Sequence, residues 1–316
     1  MVNFSKKKIL ITGGAGFIGK HLIQRLQQQD VRSIRVTSRN LESDSFLNNL
    51  GLDIKVGDLK DPIFCDQITE GIDVVFHLAG QKHNYFVHSA QPANILYENN
   101  LINGNILESA RHSNVSCLVM ASSIVVYRGG NIKTYDEDSE TILSREAPHL
   151  GYAWSKRILE ILSYYYRTQY HIDIRVCRLG SAYGPFDKFN SEFAQIVPSL
   201  INKIYHGDVI EIDSRSTIKN LIYVGDIADA LIKTLFVNKW FNVPVNIVDP
   251  KSRITYGNLV DMLGNILNIK PIVKEIGTVG LEKYFRSKYN FYTPRVSLDE
   301  GLRATVDYYL KHVATK

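Results

Sequence analysis

A chain of 316 residues, 45% hydrophobic and 22% charged, can bury one large core or two lobes sharing one. Its 37 basic against 32 acidic residues give +5, which suits anionic small molecules, but no Lys/Arg block is dense enough to expect a nucleic-acid partner. Three cysteines lack metal-ligand spacing, so no metal site is expected, and Cys117 and Cys177 lie in apolar runs as buried small hydrophobes of a reducing compartment. No apolar stretch approaches a membrane span, and that of the opening MVNFSKKKILITGG is too short for a secretory leader, so the expected address is cytoplasmic, without a membrane partner.

KILIT (8–12) is a β-branched run followed by glycines and the helical pattern FIGKHLIQRLQQ. SIRVTS (33–38), DIKVGDL (53–59) and DVVFHLAG (73–80) predict the second to fourth strands, each read as an apolar run covered on both faces. A helix through NILESARHSNV (105–115) precedes a fifth strand, CLVMASS (117–123). A helix around YAWSKRILEILSYYYRTQY leads to IDIRVCRLG (172–180). Strands separated by helices of this length mean βαβ units and a parallel sheet. After Gly180 come loop chemistry in AYGPFDKFN, a helix in IVPSLINKIYHG, a strand in VIEID and a strand-helix pair in IYVGDIADALIKTLF. From about Lys251 the chain mixes short helices and loops, closing with SLDEGLRATVDYYLKHV.

TGGAGFIG places Gly13, Gly16 and Gly19 directly after the first strand, where Phe17 and Ile18 open a helix. Glycines there permit a tight turn and let backbone approach a pyrophosphate, whose charge the helix N-terminus favours. In the first βα unit of an alternating chain the pattern reads as a dinucleotide site. A carboxylate at the end of the second strand would select NAD by its ribose hydroxyl. This strand ends in Thr37, Ser38 and Arg39, and a guanidinium offers forked donors to a phosphate, so NADP is expected, with NAD possible. Asp58 and Leu59 close the third strand near the adenine, and Leu78, Ala79 and Gly80 let backbone pass close to the cofactor. His77 reads as packed or hydrogen-bonded rather than catalytic.

Tyr152 and Lys156, at i and i+4, share one helix face. A phenol ordinarily titrates near 10. A neighbouring ammonium, and a nicotinamide cation when the cofactor is oxidised, favour phenolate, so Tyr152 is expected to come down, with Ser123 at the fifth strand's end hydrogen-bonding the substrate oxygen that Tyr152 protonates. With TGGAGFIG, GDL, HLAG, ASSIVVY, YAWSK, RLGSAYGPFD and LIYVGDIADAL, the chain resembles an extended short-chain dehydrogenase/reductase of the sugar-nucleotide epimerase, dehydratase and reductase type. The resemblance covers nearly the whole length. It implies a catalytic trio of Ser123, Tyr152 and Lys156, with Lys156 also on the nicotinamide ribose, and Asn99 as a buried polar residue of the helix before the fifth strand.

Departures from the family narrow the reaction. The 4,6-dehydratases carry an Asp-Glu pair after the catalytic hydroxyl, where Ile124 and Val125 stand here and transfer no protons. GDP-fucose synthase, similar in YGPFDKFNSEFAQIVPSLINK, epimerises with a Cys and a His where this chain has Ile124 and Gln195. Ser181 replaces the family's Asn, and Lys219 its pyrophosphate-clasping Arg; Lys82, Asn190 and Lys203 complete the expected substrate contacts. The expectation is therefore an α/β protein with a Rossmann-type doubly wound parallel sheet and a smaller mixed α/β substrate lobe. Residues 1–180, with 218–240 returning, form the dinucleotide domain, and 181–217 with 241–316 the lobe. The expected activity is NADPH-dependent reduction of a nucleotide-linked 4-keto-6-deoxyhexose at C4, the alternative being an NAD-dependent 4-epimerase. The family's helix pairing, with Tyr164, Tyr165 and Tyr166 spanning most sides of one helix, implies a homodimer.

Overall fold

The computed structural model describes residues 6–40, 45–81, 90–127, 134–142, 150–189, 194–277 and 283–314. The first half alternates as β1 (Ile9–Thr12), α1 (Phe17–Gln28), β2 (Ile34–Ser38), α2 (Ser45–Asn48), β3 (Asp53–Val56), α3 (Pro62–Thr69), β4 (Val74–His77), α4 (Pro92–His112) and β5 (Cys117–Ser123). A 3₁₀ turn (Ile124–Val126), β6 (Thr134–Tyr135), α5 (Leu150–Tyr170), β7 (Asp173–Leu179) and β8 (Ser181–Tyr183) follow. Then come α6 (Ile196–His206), β9 (Val209–Ile212), β10 (Ile218–Tyr223), α7 (Val224–Thr234), β11 (Val245–Ile247), β12 (Arg253–Thr255), α8 (Tyr256–Leu267), β13 (Ile272–Glu275), β14 (Tyr284–Phe285) and α9 (Leu298–His312).

A seven-stranded sheet runs in the order β11-β7-β5-β4-β1-β2-β3. Strands β1 to β5 and β7 pair in parallel, Ile9 standing opposite both Ile34 and Val74. Every residue of β1, β4 and β5 is buried, as central strands covered on both faces require. The exception is β3, whose Asp53, Lys55 and Val56 are exposed: it is the sheet edge, where charged side chains deter further pairing. Leu10, Val75, Leu118, Met120, Ile106 and Leu159 belong to one core cluster. Successive strands depart from β1 in opposite directions, toward β2 and β3 on one side and β4, β5 and β7 on the other. Such a switch point opens a crevice beyond the strands' carboxyl ends.

The chain divides into two compact units. The first is Met1–Arg128, Glu140–Leu179 and Ala228–Val245; the second is Gly129–Ser139, Gly180–Ile227 and Asn246–Lys316. Residues 218–227, read from sequence as returning to the dinucleotide domain, cluster with the second unit because β10 bonds β8 and β12 rather than the large sheet. The second unit has its own core, including Leu200, Ile204, Leu221, Leu259, Leu302 and Tyr309. Its last segment carries more regular structure than the loop-rich reading, because Thr255 caps α8, and Ser297 with Glu300 forms a capping box on α9.

Candidate active site

The turn after β1 is built for close approach. Gly13 has φ +70, and a Cβ there would stand 2.9 Å from the backbone of Ala79, so the turn rests on the segment following β4. A Cβ on Gly19 would meet the Gly13 carbonyl oxygen at 2.5 Å, which seats α1 directly on the turn. Gly16 is an exposed N-cap whose helix has no side-chain cap and no acid in its first turn, leaving the Phe17 and Ile18 end open to an anion. Ser38 is buried and donates to the Asn40 carbonyl oxygen at 2.8 Å, Arg39 is exposed, and no acid ends β2. Leu59 is buried; the Asp58 carboxylate accepts from the Lys60 amide at 2.9 Å and lies 3.5 Å from the Lys60 ammonium, which also pairs with Glu98. These residues fit a dinucleotide: a glycine cradle, uncapped helix amides and a cation past β2.

Asn99, buried in α4, holds the segment after β4. Its Oδ1 accepts from the Gln81 amide at 2.7 Å, while its Nδ2 donates to the Gln81 carbonyl at 3.1 Å and to Ser155 Oγ at 3.2 Å. A Cβ on Gly80 would stand 3.2 Å from Asn99 Oδ1 and 3.7 Å from Lys156 Nζ, so Gly80, Asn99 and Lys156 converge. His77 is fully enclosed, bonded to Thr12 Oγ1 at 2.7 Å and Asn103 Oδ1 at 3.1 Å. Burial, then the charge of Lys156, lowers its pKa to about 4. It is a neutral structural imidazole.

Ser123, Tyr152 and Lys156 come together in the first unit and are all buried. The Ser123 hydroxyl caps the 3₁₀ turn, accepting from the Val125 amide at 3.4 Å, and hydrogen-bonds Tyr152. Lys156 Nζ donates to the Ala121 carbonyl oxygen at 2.7 Å and lies 5.6 Å from the centre of the Tyr152 ring. The expected lowering of the phenol by Lys156 is not found. Burial pushes Tyr152 up to about 12, and the opposing influence is the Ser123 hydrogen bond. Desolvation of phenolate outweighs an ammonium already engaged by a carbonyl.

In the second unit, Ser181 is exposed on β8 and Lys203 is half-buried on α6. Lys219 lies 4.6 Å from the Tyr256 ring centre, and burial lowers its pKa. Lys82 and Asn190 lie outside the described residues. Sequence reading missed a buried network of Ser122, Glu160 and Arg178 beside the trio. The available signal was a charged residue in each of two apolar elements, since buried charges need partners.

A family model described as the NAD dependent epimerase/dehydratase family matches residues 9–242. The chain belongs to that family. This extended short-chain dehydrogenase/reductase is 27% identical to a dTDP-4-dehydro-6-deoxy-D-allose reductase from a Streptomyces species, over 74% of this chain and 74% of the relative. It is 24% identical to UDP-glucuronic acid decarboxylase 1 of Danio rerio, over 98% of this chain and 74% of the relative. The crystal structure of the Thermus thermophilus UDP-glucose 4-epimerase in complex with NAD superposes with a TM-score of 0.82 at 23% identity, covering 97% of this chain and 100% of that one. The family's members include epimerases, decarboxylases and reductases, so membership makes the chain an NAD(P)-dependent enzyme and leaves the reaction to the site.

Proposed function

We propose that the chain is an NADPH-dependent reductase that converts the C4 carbonyl of a nucleotide-linked 4-keto-6-deoxyhexose to an alcohol. The observation that carries this reading is a buried phenol, hydrogen-bonded to Ser123, with the apolar Ile124 and Val125 directly following that serine. Tyr152, pushed up to about 12, stands protonated at neutral pH, the state a proton donor needs. A 4-epimerase recycles a retained NAD, whereas the exposed Arg39 past β2, with no acid ending that strand, favours a consumable NADPH. Ser123, its lone pair engaged by the Val125 amide, has one O–H, which turns from Tyr152 to the sugar oxygen when substrate enters. Ile124 is buried beside it, and neither Ile124 nor Val125 can carry the acid-base steps of water elimination.

When bound, a reduced nicotinamide would supply the hydride to C4. Tyr152 supplies the proton to the oxygen, Ser123 hydrogen-bonds that oxygen, and Lys156 binds the cofactor ribose. Gly13, Gly16, Phe17 and Ile18 would hold the pyrophosphate, Asp58, Leu59 and Leu78 to Gly80 would line the cofactor, and Ser38 with Arg39 would receive a 2′-phosphate, which favours NADP over NAD. Ser181, Lys203 and Lys219 contact the nucleotide diphosphate sugar, Lys219 with a desolvated ammonium suited to a phosphate. Tyr97 of α4 and Ile161, Tyr164 and Tyr165 of α5 present exposed apolar surface that supports a homodimer.

The test is a panel of nucleotide-linked 4-keto-6-deoxyhexoses assayed with NADPH and with NADH. One reduced nicotinamide is consumed per alcohol formed, with NADPH preferred. Tyr152→Phe lowers kcat by about a hundredfold or more while cofactor affinity is retained. Interconversion of C4 epimers without net loss of NADPH makes the enzyme an epimerase and removes the reductase.

A further inference from the structure

Helix α5 touches the carboxyl end of β5 at three successive turns. Tyr152 bonds Ser123, Lys156 donates to the Ala121 carbonyl oxygen, and Glu160 accepts from Ser122 Oγ at 2.7 Å. The three helix residues are spaced i, i+4 and i+8, so they form one stripe. Beneath the stripe, alternate positions of β5 and β7 are apolar: Leu118, Met120, Ile174 and Val176 share a core cluster with Leu159. Ser122 and Arg178, partners in the β5–β7 register, continue those rows but are polar. There the helix contributes Glu160, which is 1% exposed.

Glu160 is fully engaged. Arg178 donates to it through Nε at 2.8 Å and Nη2 at 2.9 Å, and Arg157 donates at 3.1 Å. Arg178 also donates to Tyr127 Oη at 3.0 Å, with its guanidinium carbon 4.8 Å from the centre of that ring. The network therefore brackets Ser123: Glu160 holds residue 122 before it, and through Arg178 holds residue 127 after the 3₁₀ turn. Apolar packing would fill this space with less desolvation, but it lets a helix slide and rotate; forked, directional bonds fix both its position and its register.

We propose that Glu160, acting through Ser122 and Arg178, is the positioning residue that sets Tyr152 against Ser123 in this site. The inference rests on the reading of Ser123, Tyr152 and Lys156 as the reacting set. Glu160 itself touches neither sugar nor nicotinamide.

The test compares wild type, Glu160→Gln and Ser122→Ala. A misplaced proton donor slows the chemical step, so Glu160→Gln lowers kcat by about ten- to a hundredfold. KM for the keto sugar and the Kd for NADPH stay within about twofold of wild type. Ser122→Ala leaves both guanidinium partners on Glu160, stays folded with a modestly lowered melting temperature, and still loses kcat severalfold. A substrate-free readout is the resonance of ¹³C-labelled tyrosine at Tyr152, assigned with Tyr152→Phe, which reports the Ser123 hydrogen bond and shifts in both variants. An unchanged kcat and resonance in either folded variant, or a raised KM with kcat unchanged, overturns the proposal. Should Glu160→Gln fail to fold, Ser122→Ala decides. If wild type turns over no keto sugar, the proposed reaction fails, and the tyrosine resonance alone judges the positioning role.

Discussion

At the scale of single residues, burial rather than neighbouring charge dominates this site. His77 shows it clearly: enclosed between Thr12 and Asn103, its imidazole falls from 6.5 to about 4. A histidine depressed in the folded state costs nothing above pH 6.5, where both states are neutral, and weakens the fold as pH drops toward 4 and the unfolded chain takes up the proton. The loss across that window is up to about 3 kcal/mol. Urea denaturation at neutral pH and near the lower limit, on wild type and His77→Asn, isolates this contribution. The variant is less stable at neutral pH, having lost two buried bonds, but declines less on acidification. An equal decline in both proteins counts against a buried neutral imidazole. Tyr152 follows the same rule in the opposite direction, since burial disfavours phenolate as it disfavours imidazolium.

At the scale of elements, the site depends on how α4 and α5 lie against each other. Asn99 bonds Ser155 near their beginnings, and the Tyr166 hydroxyl donates to Glu108 at 2.9 Å further along. The helices approach closely at Gly151, where a Cβ would collide with the Pro92 carbonyl oxygen. Gly151 directly precedes Tyr152, so any widening there displaces the phenol. Gly151→Ala is expected to destabilise the protein by about 1–3 kcal/mol through overpacking. It also lowers kcat, because the helix start must move away from Pro92. Thermal melts paired with turnover measurements check this. A variant with wild-type stability and activity shows that the two helix starts tolerate a methyl group between them.

At the scale of the whole molecule, the exposed residues of α5 at i, i+3 and i+4, Ile161, Tyr164 and Tyr165, form an apolar patch. Tyr165 is 60% exposed and Tyr97 of α4 65% exposed. Sedimentation is expected to show a dimer for wild type and a monomer for Tyr165→Glu; a monomeric wild type at micromolar concentration removes the dimer proposal. Among the described residues, no helix is long and apolar enough to cross a membrane. The short α2, α3 and β6 and the start of α4 at Pro92 were not read from the sequence. The order of β1 to β5 and β7, with the helices after β1, before β5 and before β7, was legible there because βαβ units are local: apolar runs, glycine turns and helical periodicity each act over a few residues. For the same reason the glycine cradle and the Tyr152–Lys156 pair could be read directly from spacing. The edge position of β3, the small sheet around β10 and the Ser122–Glu160–Arg178 network could not. Each joins residues far apart in the chain, and periodicity carries no record of which strand lies beside which. Sequence alone determined which groups could do the chemistry. Only the tertiary structure decided their protonation and their partners, because desolvation and buried ion pairing depend on what closes over a side chain, which the neighbours along the chain do not specify.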